Sequence, residues 1–158
     1  MNVADVHARG TLTIGTIYGP SLLPKIFSSF GAHSADIQFM ELFSVYGLYL
    51  SDFEVLSPLE TELVVFTAIS CTGLRGPSLW HMRGLGRLLG ARGNDENTEK
   101  MNRIKDSLRS VKVGVMSVVD WVDGPGGANE EMARKVRMSN WVNVGDVVRE
   151  LGGWGDDA

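Results

Sequence analysis

The residues of this chain best suited to chemistry are a carboxylate and an imidazole nineteen positions apart. Glu62 lies in an apolar run, Glu62-Leu-Val-Val-Phe-Thr-Ala-Ile-Ser-Cys71. His81 lies in a second run, Trp80-His-Met-Arg-Gly-Leu-Gly-Arg-Leu-Leu-Gly90. The break Thr72-Gly-Leu-Arg-Gly-Pro77 separates them. Two antiparallel helices joined by such a break can place a Glu beside a His, which is enough to move a proton. At helical spacing Glu62 shares its face with Leu59, Phe66 and Ile69, a stripe that should be buried. A carboxylate there must be paired or protonated. The alternative is a helix-start Glu that reaches solvent and favours the helix dipole. His81 shares its face with Pro77, Ser78, Gly84, Leu85 and Leu88, and the ordinary reading of such a lone histidine is a satisfied core residue.

Other side chains bear on the same site. Arg75 sits in the break, where it could hold an anionic substrate. Arg83 and Arg87 have the same charge, and solvated surface arginine is the ordinary alternative for all three. Trp80 could wall a pocket beside His81, or belong to the core. Cys71 is the only cysteine and reads as a buried structural thiol. No His, Cys, Asp or Glu set has metal-ligand spacing, and no phosphate loop or nucleophile elbow occurs. The expectation is therefore no metal and no cofactor.

The elements that position these residues read as helices. Ser57-Pro58-Leu59-Glu60 is the clearest start signal, with Ser at the N-cap, Pro at the first position and Glu at the third. That helix should run from Pro58 to about Cys71. The His81 helix should begin near Gly76-Pro77 and end at Gly90 or Gly93. Other helices are expected over about 21–30, from Ser34 or Asp36 to Leu50, over 98–122, and over 129–151. Gly124-Pro-Gly-Gly127 separates the last two. Residues 1–19 read as an irregular arm and 152–158 as a flexible tail. Gly84, Gly86, Gly114 and Gly145 fall inside helical patterns, and close helix approach would offset their cost. The expected fold is one all-α domain over 1–158, with about six helices.

Composition narrows the function. With 158 residues a domain needs no disulfide staple. The net charge of −4 and pI near 5.3 give no basic footprint for nucleic acid. No apolar run reaches the roughly 18 residues of a membrane span. The N-terminus lacks a basic and apolar leader pattern. The expectation is a soluble cytoplasmic protein with no nucleic-acid or membrane partner.

The run Leu56-Ser-Pro-Leu-Glu-Thr-Glu62-Leu, the break, and His81-Met-Arg83-Gly84-Leu-Gly-Arg-Leu-Leu-Gly90-Ala91 resemble the carboxymuconolactone decarboxylase and alkylhydroperoxidase D-like superfamily. The likeness covers about residues 20–93. It implies a helical bundle that assembles as a homo-oligomer, a trimer or hexamer, with a small-molecule substrate. The redox branch carries a Cys-x-x-Cys pair seven and four residues before the His. Leu74 and Pro77 stand at those positions here, so thiol chemistry is not implied. The decarboxylase-like branch implies a cofactor-free lyase or isomerase acting on a small carboxylated lactone or a polyketide-like substrate. His81 would be its general acid or base, Glu62 its partner, and Arg75 and Trp80 would bind substrate. The alternatives are a non-catalytic oligomeric protein of the same fold and a peroxidase-type redox protein.

Overall fold

Ser57 starts the central helix as its side chain dictates. The Ser57 hydroxyl accepts the Glu60 N–H at 3.3 Å, and the Glu60 carboxylate accepts the Ser57 N–H at 2.8 Å. In the computed structural model, which describes residues 2–94, 96–123 and 141–155, the chain is all-helical. Helix α1 spans Val3–Ser29. A 3₁₀ turn at Gly31–His33 leads into α2, Ser34–Phe39, with no side-chain cap between them. α2 runs on into a π-helical stretch, Met40–Tyr49. Then come α3 (Pro58–Cys71), α4 (Arg75–Leu88), α5 (Glu99–Asp123) and α6 (Val144–Leu151). Among the described residues no strand forms, apart from one isolated bridge between Gly93 and Gly155. None of the described helices is long and apolar enough to cross a membrane.

Residues 3–18 are helical, not an irregular arm, and Met1 lies outside the described residues. The Asn2 side chain accepts the Asp5 N–H at 2.9 Å, and Asp5 accepts the Asn2 N–H at 3.2 Å, completing a capping box. Gly10, one of the glycines that suggest irregularity, is a contact point. A Cβ on Gly10 would lie 2.0 Å from the Leu42 carbonyl oxygen, so only glycine lets α1 lie this close to the π stretch. Gly19 does break the helix, at φ 71°, and Pro20 resumes it.

The tail expectation fails over its described part. Trp154 is fully buried. Its N–H donates to Gly93 O at 2.7 Å, and Gly93 N–H donates to Gly155 O at 3.0 Å. Gly86 makes the room, since a Cβ there would meet the Trp154 ring at 2.1 Å. Residues 156–158 lie outside the described set. The final helix is also shorter than expected. Residues 141–143 are not helical, and Asn143 caps a new start by accepting the Asp146 N–H at 3.2 Å. The rest of the expected 129–151 helix, with the Gly124–Gly127 stop, lies outside the described residues.

Helix α4 is the axis of the fold. Every residue from His81 to Arg87 is buried, and the helix packs against α1, α3, α5 and α6. One apolar core gathers α3, α4, α5 and the C-terminal segment around Phe66, Leu85 and Trp154. A second gathers α1 and the π stretch around Ile14, Tyr18 and Tyr46. Arg83 and Arg87, each 2 % exposed, are not surface arginines. Arg83 donates to Gly153 O at 2.9 Å and to the Tyr18 carbonyl. Arg87 donates to Thr16 O at 3.1 Å and Trp154 O at 3.0 Å. Charged donors on backbone carbonyls help to satisfy a buried guanidinium.

Trp154 therefore carries stability that a frayed tail would not. Trp154→Ala should lower the unfolding free energy by about 3–5 kcal/mol, the usual cost of emptying a fully buried aromatic site. Urea titration measures it, and an unchanged midpoint would show that the tail is not packed.

Candidate functional site

α3 and α4 run side by side across the short break, and they bring Glu62 and His81 into contact. His81 Nδ1 lies 2.8 Å from Glu62 Oε1. Glu62 is 1 % exposed and His81 4 %. The buried reading of Glu62 is the observed one. Gly84, one turn after His81, leaves the space for the carboxylate. A Cβ there would sit 2.6 Å from Glu62 Oε1.

The network continues beyond the pair. His81 Nε2 lies 2.9 Å from the Tyr18 hydroxyl, which lies 2.9 Å from the Tyr46 hydroxyl. With Glu62 accepting, His81 carries its proton on Nδ1, and Nε2 accepts from Tyr18. Tyr46 then donates to the Tyr18 oxygen. The order of donors follows from the carboxylate end. Tyr18 comes from α1 just before the kink at Gly19. Tyr46 comes from the π stretch, where Leu50 N–H donates to Val45 O five residues back at 2.9 Å. That wider turn lets Glu41, Val45 and Tyr46 line one cavity together.

Burial governs the electrostatics. Desolvation raises the Glu62 carboxyl above its usual range, opposed by the attraction and hydrogen bond of His81. It raises both tyrosines, so Tyr18 and Tyr46 stay neutral donors. Desolvation also raises Glu41, with His81 pulling the other way.

Two cavities flank the network. One, of about 270 Å³, is lined by Tyr18, Tyr46, His81, Glu41 and Trp80 among apolar neighbours. The other, of about 230 Å³, is lined by Glu62, Tyr46, Thr13, Thr16 and Thr61 with apolar neighbours. Tyr46, Leu50 and Val65 border both, so the Glu62–His81–Tyr18–Tyr46 chain lies between them.

Of the four expected site residues, the structure brings together Glu62, His81 and Trp80. Arg75 is elsewhere. Its guanidinium pairs with Glu150 and lies 3.6 Å from Asp146, both on α6. It does not line either cavity. The reason is geometric: the start of α4 faces α6, whose buried Asp146 attracts the cation. Cys71 is a free, half-buried thiol. Among the described residues no three His, Cys, Asp or Glu side chains gather as a metal site.

Tyr18, Tyr46 and Glu41 escape the sequence reading. Tyr18 falls in the stretch taken as irregular. Glu41 does carry a signal, since Ile37 and Val45 flank it at four-residue spacing and both line the cavity. Comparison with protein-family models, curated proteins and solved structures gives no match. The superfamily resemblance thus rests on the residues that suggested it.

Glu41 yields a pH prediction. A carboxyl raised on folding stabilises the fold by being neutral. That contribution is complete below the unfolded value near 4.5 and is lost as pH rises through the folded value. Glu41→Gln should therefore gain stability relative to the native protein as pH rises above about 4.5, and the difference should level off once the native carboxyl is ionised. Urea titrations from mildly acid to neutral pH test this, and parallel curves would refute it.

Proposed function

We propose that this protein is a cofactor-free lyase or isomerase of the carboxymuconolactone decarboxylase-like kind, working by proton transfer on a small carbonyl compound. The observation that carries the reading is the buried Glu62–His81–Tyr18 chain, whose imidazole and phenol both border an apolar cavity. His81 is the general base. Glu62 fixes the Nδ1–H tautomer and stabilises the imidazolium that forms. On substrate binding, the Tyr18 O–H turns from His81 Nε2 to the substrate carbonyl oxygen. Nε2 then takes the proton from the adjacent carbon, and the enolate oxygen keeps the Tyr18 hydrogen bond. Return of the proton to another carbon completes an isomerisation. Expulsion of a leaving group completes a lyase reaction.

Of the two substrate classes expected, the polyketide-like one is better supported. Among the described residues lining the cavity there is no lysine or arginine to meet a carboxylated lactone. The peroxidase reading gains nothing, since Cys71 has no second thiol. The non-catalytic reading has one observation in its favour: both ring nitrogens of His81 are already engaged, as in a structural network. We also propose self-association, for which the 82 % exposed Trp121 of α5, close to Val118, offers apolar surface.

Deuterium exchange separates catalysis from structure. The protein in D₂O should label enolisable carbons in a panel of polyketide-like ketones and lactones, read by NMR. His81→Gln should slow the labelling by about 10²–10⁴-fold, the usual share of one general acid–base. Cys71→Ala should leave it unchanged. A folded native protein that labels none of the panel above the buffer rate would favour the non-catalytic network.

A further inference from the structure

The cavity beside His81 has a chemical character that the proton-transfer reading does not use. Glu41 lines it, half-buried, and its carboxylate makes no hydrogen bond or ion pair with any described residue. The same cavity is lined by the aromatic residues Tyr18, Phe27, Phe30, Tyr46 and Trp80. The Tyr18 and Tyr46 rings meet nearly at right angles, 79° apart with centroids 6.1 Å from each other, as two walls of a box do. No lysine or arginine among the described residues lines this cavity.

We propose that this cavity binds an organic ammonium ion, its charge set between Glu41 and the aromatic rings and its hydrocarbon body in the remaining apolar space. The proposal rests on the reading of this cavity as the substrate site and names the substrate as amine-bearing. A carboxylate half withdrawn from water and without a hydrogen-bond partner carries part of its desolvation cost, and a cation of the right size removes it. Aromatic faces carry negative potential, and a desolvated cation over them gains more than at an exposed site. A neutral ligand would leave Glu41 without a counter-charge, and an anion would face a carboxylate with no lysine or arginine beside it. The volume of about 270 Å³ suits a body of one ring and a short chain. Burial raises the Glu41 carboxyl, as expected of an acid waiting for its counter-ion.

Isosteric probes test the charge alone. Phenethylamine, phenethyl alcohol and hydrocinnamate share a body and differ in their head group. Calorimetric titration at neutral pH should show the amine binding at least about tenfold more tightly than the alcohol, the scale of a desolvated cation–aromatic contact, with hydrocinnamate weakest. Glu41→Gln preserves shape and should bring amine and alcohol to within about twofold of each other. Phe27→Leu should weaken the amine more than the alcohol. The proposal is overturned if the alcohol matches the amine, if the preference survives Glu41→Gln, or if none of the probes binds at millimolar concentration. Binding is read without turnover. Amine preference without any deuterium exchange therefore refutes only the proton-transfer reading, and exchange without amine preference refutes only this one.

Discussion

The structure is organised around one costly act, the burial of the Glu62 carboxylate. At 1 % exposure it has lost its water, and His81 is the partner that holds it. A pair of this kind is weak support for stability, because desolvating both groups offsets much of their attraction. Its surroundings are nevertheless built to keep it. Gly84 gives up a side chain to admit the carboxylate, and Tyr18 and Tyr46 extend the hydrogen bonding into the second core. A fold seeking stability alone would do as well with well-packed leucines. The polar chain instead sets groups able to donate and accept a proton beside two cavities, which is what the proposed function rests on.

The same helix explains how distant segments reach the site. Arg83 lies two residues after His81 and donates to the Tyr18 carbonyl, while its Nε donates to Gly153. Arg87, one turn on, joins Thr16 to Trp154. The C-terminal segment is thereby tied to α1 through two buried cations. Tyr18 is held from both ends, its carbonyl by Arg83 and its hydroxyl by His81. Loss of the Trp154 anchor would loosen the clamp on the residue that faces the imidazole. The tail thus bears on the site as well as on the core.

Local signals made the Glu62–His81 half of the site legible. The Ser57 capping box, the apolar mates of Glu62 and the short break are all adjacent in sequence, and each formed as expected. The other half was hidden because tertiary contacts decide it. Gly10 and Gly19 punctuate the first stretch like a loop, yet one marks close packing on the π stretch and the other a single kink in a helix. Arg83 and Arg87 follow the pattern of surface cations, and the carbonyls of α1 and the C-terminal segment that accept from them when buried lie far off in sequence. Gly152-Gly-Trp-Gly reads as fraying until Gly86 provides the slot for the indole. The misplacement of Arg75 has the same origin: the carboxylates of α6 that claim it lie over seventy residues away.

The closed hydrogen bonding of the site has a consequence for what can enter it. Glu62, His81, Tyr18 and Tyr46 satisfy one another in sequence, so a ligand must break the Tyr18–His81 bond before His81 can act. Breaking it would leave a buried hydroxyl and a buried imidazole nitrogen unpaired, at a cost of about 1–3 kcal/mol for each orphaned group. A pure hydrocarbon cannot offset that cost. A ligand with an acceptor oxygen for Tyr18 and an acidic C–H facing Nε2 restores both partners at once. On the proposed reading, the closed network keeps His81 idle until a molecule able to complete it engages Tyr18. Water also has donor and acceptor, but the apolar walls favour a ligand that fills the cavity and displaces it. On that reading, selectivity for turnover comes from the cost of interrupting the resting hydrogen bonds, and the same interruption would free the proposed base.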